Sequence, residues 1–242
     1  MYPKVLLAPV ELRRFPKLEG VLDLIYNPAR TKLLLDAEAL GIPAFGGLRM
    51  LAAQAVQASE FFQGKSPDRS CIDGIVRHLR RQMENIVLIG MAGCGKSTVG
   101  RLLAEQTGRK FVDADEEIEV LAGKPIPDIF AQDGEEVFRT WESQVLDRFG
   151  RESGLVLATG GGCVTKKRNY PLLRQNGTVV WLWRDPALLP TAGRPLSQKT
   201  SPRILHARRL PLYQQFADLT VENSGPVAET VSKIQTALEE LP

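Results

Sequence analysis

Cysteine is scarce and unpatterned. Cys71, Cys94 and Cys163 occur with no C-x-x-C spacing and no even framework. That excludes a disulfide scaffold, argues against a structural zinc site and suits a reducing cytosol. Long apolar runs are missing too: none approaches the ~18–20 residues of a membrane span. The N-terminus lacks the three-part pattern of a signal peptide, so a cytoplasmic protein without membrane contact is expected. Charge of one sign is not in excess. A net charge of +3 is too small to imply nucleic acid by itself, so each arginine cluster has to be read separately. No internal repeat and no low-complexity tract is present. The 242 residues, 43% hydrophobic and 24% charged, have the balance of a globular chain with one large domain or two small ones.

The most informative segment is Gly90-Met-Ala-Gly-Cys-Gly-Lys-Ser97-Thr98, which fits G-x-x-x-x-G-K-[ST]. The apolar run 85–89 before it reads as a buried strand. Residues 96–106 after it read as a helix, with Val99, Leu102 and Leu103 at helical spacing and Gly108 as a stop. A glycine loop between strand and helix turns several backbone N–H groups towards one point, at the positive end of the helix dipole. A polyphosphate fits there. Lys96 can reach the β- and γ-phosphates, and the Ser97 hydroxyl can ligate Mg²⁺.

Residues 86–242 alternate strand and helix, with strands expected at 86–90, 110–113, 155–159, 178–183 and 219–221. The last helix is expected over 226–241, with Val227, Val231, Ile234, Leu238 and Leu241 on one stripe. Alternating βα units predict a parallel sheet covered by helices, with ligands beyond the carboxyl ends of the strands. Four further clusters fall near that edge. Asp113 and Asp115 sit two apart, one able to serve the metal through water and the other a substrate hydroxyl. The competing role is an N-cap for the helix that follows. Arg139 and Glu142 are i, i+3 neighbours, a functional pair or a surface ion pair of little weight. Gly160-Gly-Gly162 lets a backbone approach a ligand closely. Arg194 and Arg209 flank a short polar segment with the composition of a lid, while Arg203, His206 and Arg208 read as a solvated basic face.

Together these clusters resemble shikimate kinase, co-linearly over about residues 85–242. The motifs are G-M-A-G-C-G-K-S-T, F-V-D-A-D-E-E-I-E, E-E-V-F-R-T-W-E, T-G-G-G-C-V, G-R-P-L and R-L-P-L-Y. The resemblance implies a five-stranded parallel sheet, the P-loop kinase fold of the nucleoside monophosphate kinase type. It implies phosphorylation of the shikimate 3-hydroxyl by ATP with Mg²⁺ as cofactor. Gly93, Cys94, Gly95, Lys96, Ser97 and Thr98 would hold ATP. Ser97 would ligate the metal, with Asp113 in its outer coordination sphere. Asp115, Arg139, Gly161 and Arg209 would take shikimate, and Arg194 would reach the phosphates from the lid. Lys96, Asp115 and Arg194 are the expected catalytic groups. The chain departs from the family in 187–192, which offers no arginine for the adenine face. Another small-molecule P-loop kinase, a scaffold role and a nucleotide-binding pseudoenzyme are the alternatives.

Residues 1–84 read as a small, mostly helical extension. Val21-Leu-Asp-Leu-Ile-Tyr26, Thr31-Lys-Leu-Leu-Leu-Asp-Ala37 and Gly47-Leu-Arg-Met50-Leu-Ala-Ala-Gln54 resemble the carboxyl-terminal end of shikimate dehydrogenase over about residues 10–65. By that resemblance Tyr26 and Gln54 would touch shikimate, and Met50 would lie near a nicotinamide. That family's substrate domain and glycine-rich dinucleotide loop are absent, so the segment is read as the remnant of a dehydrogenase–kinase fusion or as the product of a truncated gene model, with part of a bifunctional dehydrogenase–kinase as the alternative. The expected division is 1–65 for the fragment, 66–84 for an amphipathic joining helix and 85–242 for the kinase. A monomer is expected, with docking through the N-terminal fragment as an open alternative.

Overall fold

The computed structural model describes residues 7–64, 68–190 and 201–241. The chain forms two compact units, Met1–Glu84 and Asn85–Pro242.

In the second unit five strands form one parallel sheet: β3 (Asn85–Ile89), β4 (Lys110–Asp113), β5 (Leu155–Ala158), β6 (Gly177–Trp183) and β7 (Leu219–Glu222). Their order is β4-β5-β3-β6-β7. The helices are α4 (Lys96–Thr107), α5 (Ala114–Ala122), α6 (Ile126–Gln132), α7 (Glu135–Gly150), α8 (Asn169–Arg174), α9 (Pro202–Phe216) and α10 (Val227–Glu239). Every residue of β3 and β5 is buried. Such strands read as continuous apolar runs because helices cover both faces of a parallel sheet. The edge strands β4 and β7 keep exposed positions. The core joins the sheet to Val99 and Leu103 of α4, Leu146 and Phe149 of α7, and Val231 and Ile234 of α10. All five strands lie within one residue of the sequence expectation at each end. The last helix ends at Glu239 rather than at 241, so Leu241 falls outside the apolar stripe.

Parallel register fixes which side chains meet beyond the strand ends. Ala158 stands opposite Leu88 of β3 on one side and Asp113 of β4 on the other. The loops after β3, β4 and β5 therefore open onto one edge.

The first unit is smaller. β1 (Val21–Leu22) and β2 (Ala44–Phe45) pair in parallel across α1 (Lys32–Ala39). Then follow α2 (Leu48–Gln63) and α3 (Cys71–Met83), which pack together. Leu12, Val21, Leu34 and Ala37 make a small core, while Leu22, Phe45, Phe61 and Phe62 stay exposed. The amphipathic pattern of α3 sets Ile72, Ile75, Val76, Leu79 and Met83 on one stripe; Val76 is buried but Ile75 faces solvent, so the stripe is narrower than the sequence suggests. Arg77, His78, Arg80 and Arg81 form its exposed face. No helix among the described residues is long and apolar enough to cross a membrane.

Candidate active site

The loop after β3 curls over the start of α4. Gly95 caps this helix at φ +98°, a conformation that side chains disfavour. Lys96 is buried, and its Nζ donates to the carbonyls of Gly90 and Met91, both at 3.0 Å. The side chain thus arches back across the loop, with its charge beside the space the glycines enclose. The Ser97 hydroxyl donates to Asp113 Oδ2 at 2.6 Å. Asp113 Oδ1 accepts from the Asp115 N–H at 3.0 Å, so Asp113 is the N-cap of α5. The sequence leaves the capping role open between the two aspartates. The structure assigns it to Asp113 and leaves the Asp115 side chain free of it.

Asp115 Oδ1 is covered and has no hydrogen-bond partner among the described residues. Burial raises the Asp115 pKa to about 6, against the pull of nearby Lys96. Arg139 and Glu142, from α7, lie beneath it. Arg139 is 2% exposed and Glu142 0%. The guanidinium donates to both Glu142 oxygens, at 3.0 and 2.9 Å, and to Glu135 Oε1 at 3.0 Å. Burial works against the Arg139 charge, but the Glu142 and Glu135 carboxylates together more than offset this and hold its pKa above the ordinary value. The surface-pair alternative is therefore excluded for Arg139 and Glu142. Behind them, Ser143 Oγ donates to Asn169 Oδ1 at 2.7 Å, and Asn169 Nδ2 donates to the Cys163 carbonyl at 2.8 Å. Nothing in the sequence around Asn169 signals this support.

The three glycines after β5 each meet a different part of the site. A Cβ on Gly160 would lie 2.7 Å from Glu142 Oε1 and 2.9 Å from Asp115 Oδ1. On Gly161 it would lie 2.6 Å from the Ala92 backbone nitrogen, and on Gly162 2.1 Å from Arg139 Nη2. The run is tight packing between backbone and functional groups. From α9, Arg209 donates to the Gly161 carbonyl at 3.1 Å and the Tyr213 hydroxyl to the same oxygen at 2.5 Å. Tyr213 is stacked on Trp181 of β6, and burial pushes its hydroxyl pKa far up. Sequence reasoning quoted Tyr213 within R-L-P-L-Y but gave it no task.

These groups line one cavity of about 710 Å³. Gly93, Gly95, Lys96, Ser97 and Thr98 of the glycine loop line it together with Asp115, Arg139, Gly161 and Arg209. Cys94, within the loop, is buried and is not among the lining residues; its carbonyl accepts from Asn223 Nδ2 at 2.6 Å. Arg194 and the rest of the expected lid lie outside the described residues. Arg203 and Arg208 are exposed, as a solvated helix face requires; His206 departs from that expectation, since its Nε2 is covered with no hydrogen-bond partner among the described residues and burial lowers its pKa.

A family model for shikimate kinase matches residues 92–239. This chain belongs to the shikimate kinase family. The shikimate kinase of Prochlorococcus marinus (strain MIT 9313) is 49% identical over 148 residues, covering 57% of this chain and 76% of the relative. That of Neisseria meningitidis serogroup C (strain 053442) is 42% identical over 165 residues, covering 64% and 95%. Among solved structures, the Acinetobacter baumannii shikimate kinase in complex with shikimate is 40% identical with a TM-score of 0.64, covering 69% of this chain and 99% of that one. The five-stranded parallel sheet of the second unit is thus the shikimate kinase fold, and the matched residues lie within that unit.

The geometry of the glycine run carries a test. Gly162 has φ −106° and ψ 5°, which alanine tolerates, so Gly162→Ala probes only the collision with Arg139. Overpacking of this kind costs about 1–3 kcal/mol. Urea unfolding should show that loss. An unchanged midpoint would mean that Arg139 does not occupy the position described.

Proposed function

We infer that this chain transfers the γ-phosphoryl group of ATP to the 3-hydroxyl of shikimate, giving shikimate 3-phosphate and ADP, a step towards chorismate and the aromatic amino acids. The observation that carries this reading is a single cavity lined both by a phosphate loop and by a buried arginine–carboxylate cluster, in a member of the shikimate kinase family. The relative bound to shikimate adds support.

The roles follow from chemistry. Phosphoryl transfer depends on positioning and charge stabilisation. Lys96 and the loop N–H groups would hold the β- and γ-phosphates. Arg139 and Arg209 would take the carboxylate and ring of the acceptor, where a planar guanidinium gives directed donors that lysine does not reproduce. Asp115 has an open oxygen beside the acceptor groups, so it would accept a hydrogen bond from the attacking hydroxyl. As the hydroxyl oxygen bonds to the γ-phosphorus, the bond to the ADP oxygen breaks and the hydroxyl proton passes to the Asp115 carboxylate. Ser97 and Asp113 fit Mg²⁺, which prefers hard oxygens, takes few protein ligands and completes its sphere with water and phosphate. Among the described residues there is no larger His, Cys, Asp and Glu cluster that would form an all-protein cage. When bound, Mg²⁺ supplies charge neutralisation at the phosphates.

Asp115 gives the first experiment. Its carboxylate form should support turnover, so kcat should fall as pH drops through about 6. Asp115→Asn should abolish turnover and leave ATP binding nearly intact. The stability effect has a definite sign. The pKa is raised from 3.8 to about 6 on folding. Between those values the folded chain holds a proton that the unfolded chain has lost, so this group's contribution falls as pH rises across the window. Asp115→Asn escapes that penalty. It should gain up to about 3 kcal/mol over the parent chain above pH 6 and nothing near pH 4. Lost ATP affinity, or a stability gain that does not vanish in acid, would contradict the assignment.

For the first unit we propose the remnant of a dehydrogenase–kinase fusion, with no hydride transfer of its own. What supports it is a two-strand β–α–β piece with a small core and exposed apolar residues, too little to form a dinucleotide site. Tyr26 and Met50 are exposed, as is Gln54. A chain restricted to residues 85–242 should keep shikimate phosphorylation within tenfold, and the full chain should form no NADPH from shikimate. Either a larger loss or measurable NADPH would overturn this reading.

A further inference from the structure

Asn223 follows β7, on the far side of the phosphate loop from the acceptor groups. It is buried, and each of its hydrogen-bonding groups is spoken for. Its backbone N–H donates to the Trp183 carbonyl at 2.8 Å. Its side-chain Oδ1 accepts from the Thr230 hydroxyl of α10 at 2.8 Å, and its Nδ2 donates to the Cys94 carbonyl at 2.6 Å. Thr230 is itself 1% exposed. The Thr230 bond sets which end of the amide faces the loop, because only an oxygen can accept from the hydroxyl when that proton points inward. The amide nitrogen is thereby turned towards Cys94. Gly95 leaves room for it: a Cβ there would stand 2.5 Å from Nδ2.

Cys94 and Gly95 share one peptide plane. In a trans peptide the C=O and the following N–H point in opposite directions. Tying the Cys94 carbonyl to Asn223 therefore turns the Gly95 N–H the other way. Gly95 lines the cavity and Asn223 does not. We propose that Asn223 is a positioning residue that, held by Thr230, locks the Cys94–Gly95 peptide so that the Gly95 N–H faces the nucleotide phosphates. The inference rests on the kinase reading above. It adds a reason for the burial of two polar side chains that do not line the cavity. A peptide free to flip would present a carbonyl to the polyphosphate, and the repulsion would fall on the nucleotide alone.

Two near-isosteric variants of the full chain test this. Asn223→Asp keeps the acceptor for Thr230 but places a carboxylate oxygen against the Cys94 carbonyl. Thr230→Val removes only the bond that orients the amide. Calorimetric titration should show ATP and GTP affinity falling together, at least tenfold in Asn223→Asp and by a smaller factor in Thr230→Val. Shikimate affinity should stay within twofold in both. An equal loss for both nucleotides identifies a phosphate effect; a changed ATP-to-GTP ratio would make Asn223 a base contact and overturn the proposal. Unchanged nucleotide affinity would also overturn it. So would a parallel loss of shikimate binding and melting temperature, which marks a purely structural role. Should Asn223→Asp not fold, Thr230→Val alone decides by the same comparison. Parent-chain turnover with shikimate tests the kinase reading separately, since a parent chain that binds ATP but does not turn over leaves the nucleotide comparison intact.

Discussion

Ala158 stands opposite Leu88 and Asp113 in a parallel register, and the site depends on that alignment. It places the phosphate loop after β3, the aspartate pair after β4 and the glycine run after β5 along one edge of the sheet. A slip of one residue in β5 would turn every one of its side chains to the other face and carry Gly160 away from Asp115 and Glu142. The buried apolar strands guard against such a slip, because each residue of β5 has a packed position to lose. The stability of the sheet and the geometry of the cavity thus have one cause.

The charges at this edge hold one another. Arg139 and Glu142 would each be costly to bury alone, and truncating either partner of such a pair costs several kcal/mol. Paired, they form a rigid floor. Gly162 permits that floor to approach the backbone, and Gly160 permits Asp115 to face it. Lys96 lies near enough to draw the Asp115 pKa back down while burial raises it. The balance leaves a carboxylate ionised near neutral pH with one oxygen uncommitted, which suits a group that must meet a substrate hydroxyl.

Much of this was legible in the sequence because it is local. The phosphate loop, the five strands and the glycine run are contiguous patterns, and the structure places them as expected. What depends on distant partners was not legible. An i, i+3 spacing cannot tell a buried Arg139–Glu142 pair from a surface one; that is decided by the glycines some twenty residues later, which close over it. Two aspartates two apart do not reveal which one caps α5. Tyr213 and Asn223 reach Gly161 and Cys94 across long sequence separations, and no spacing rule encodes such contacts. The narrow apolar stripe of α3 has the same origin, since Ile75 has the right periodicity but no partner to cover it.

The glycine loop and the arginines of the cavity must work on one reaction, with a triphosphate at the loop and a carboxylate-bearing polyol at the arginines. A coupled assay of ADP release by the full chain, with Mg²⁺ and ATP and with shikimate present or withheld, measures that directly. ADP production should depend on shikimate and on Mg²⁺, and gluconate should not substitute. Equal release with gluconate, or none with shikimate, would contradict it.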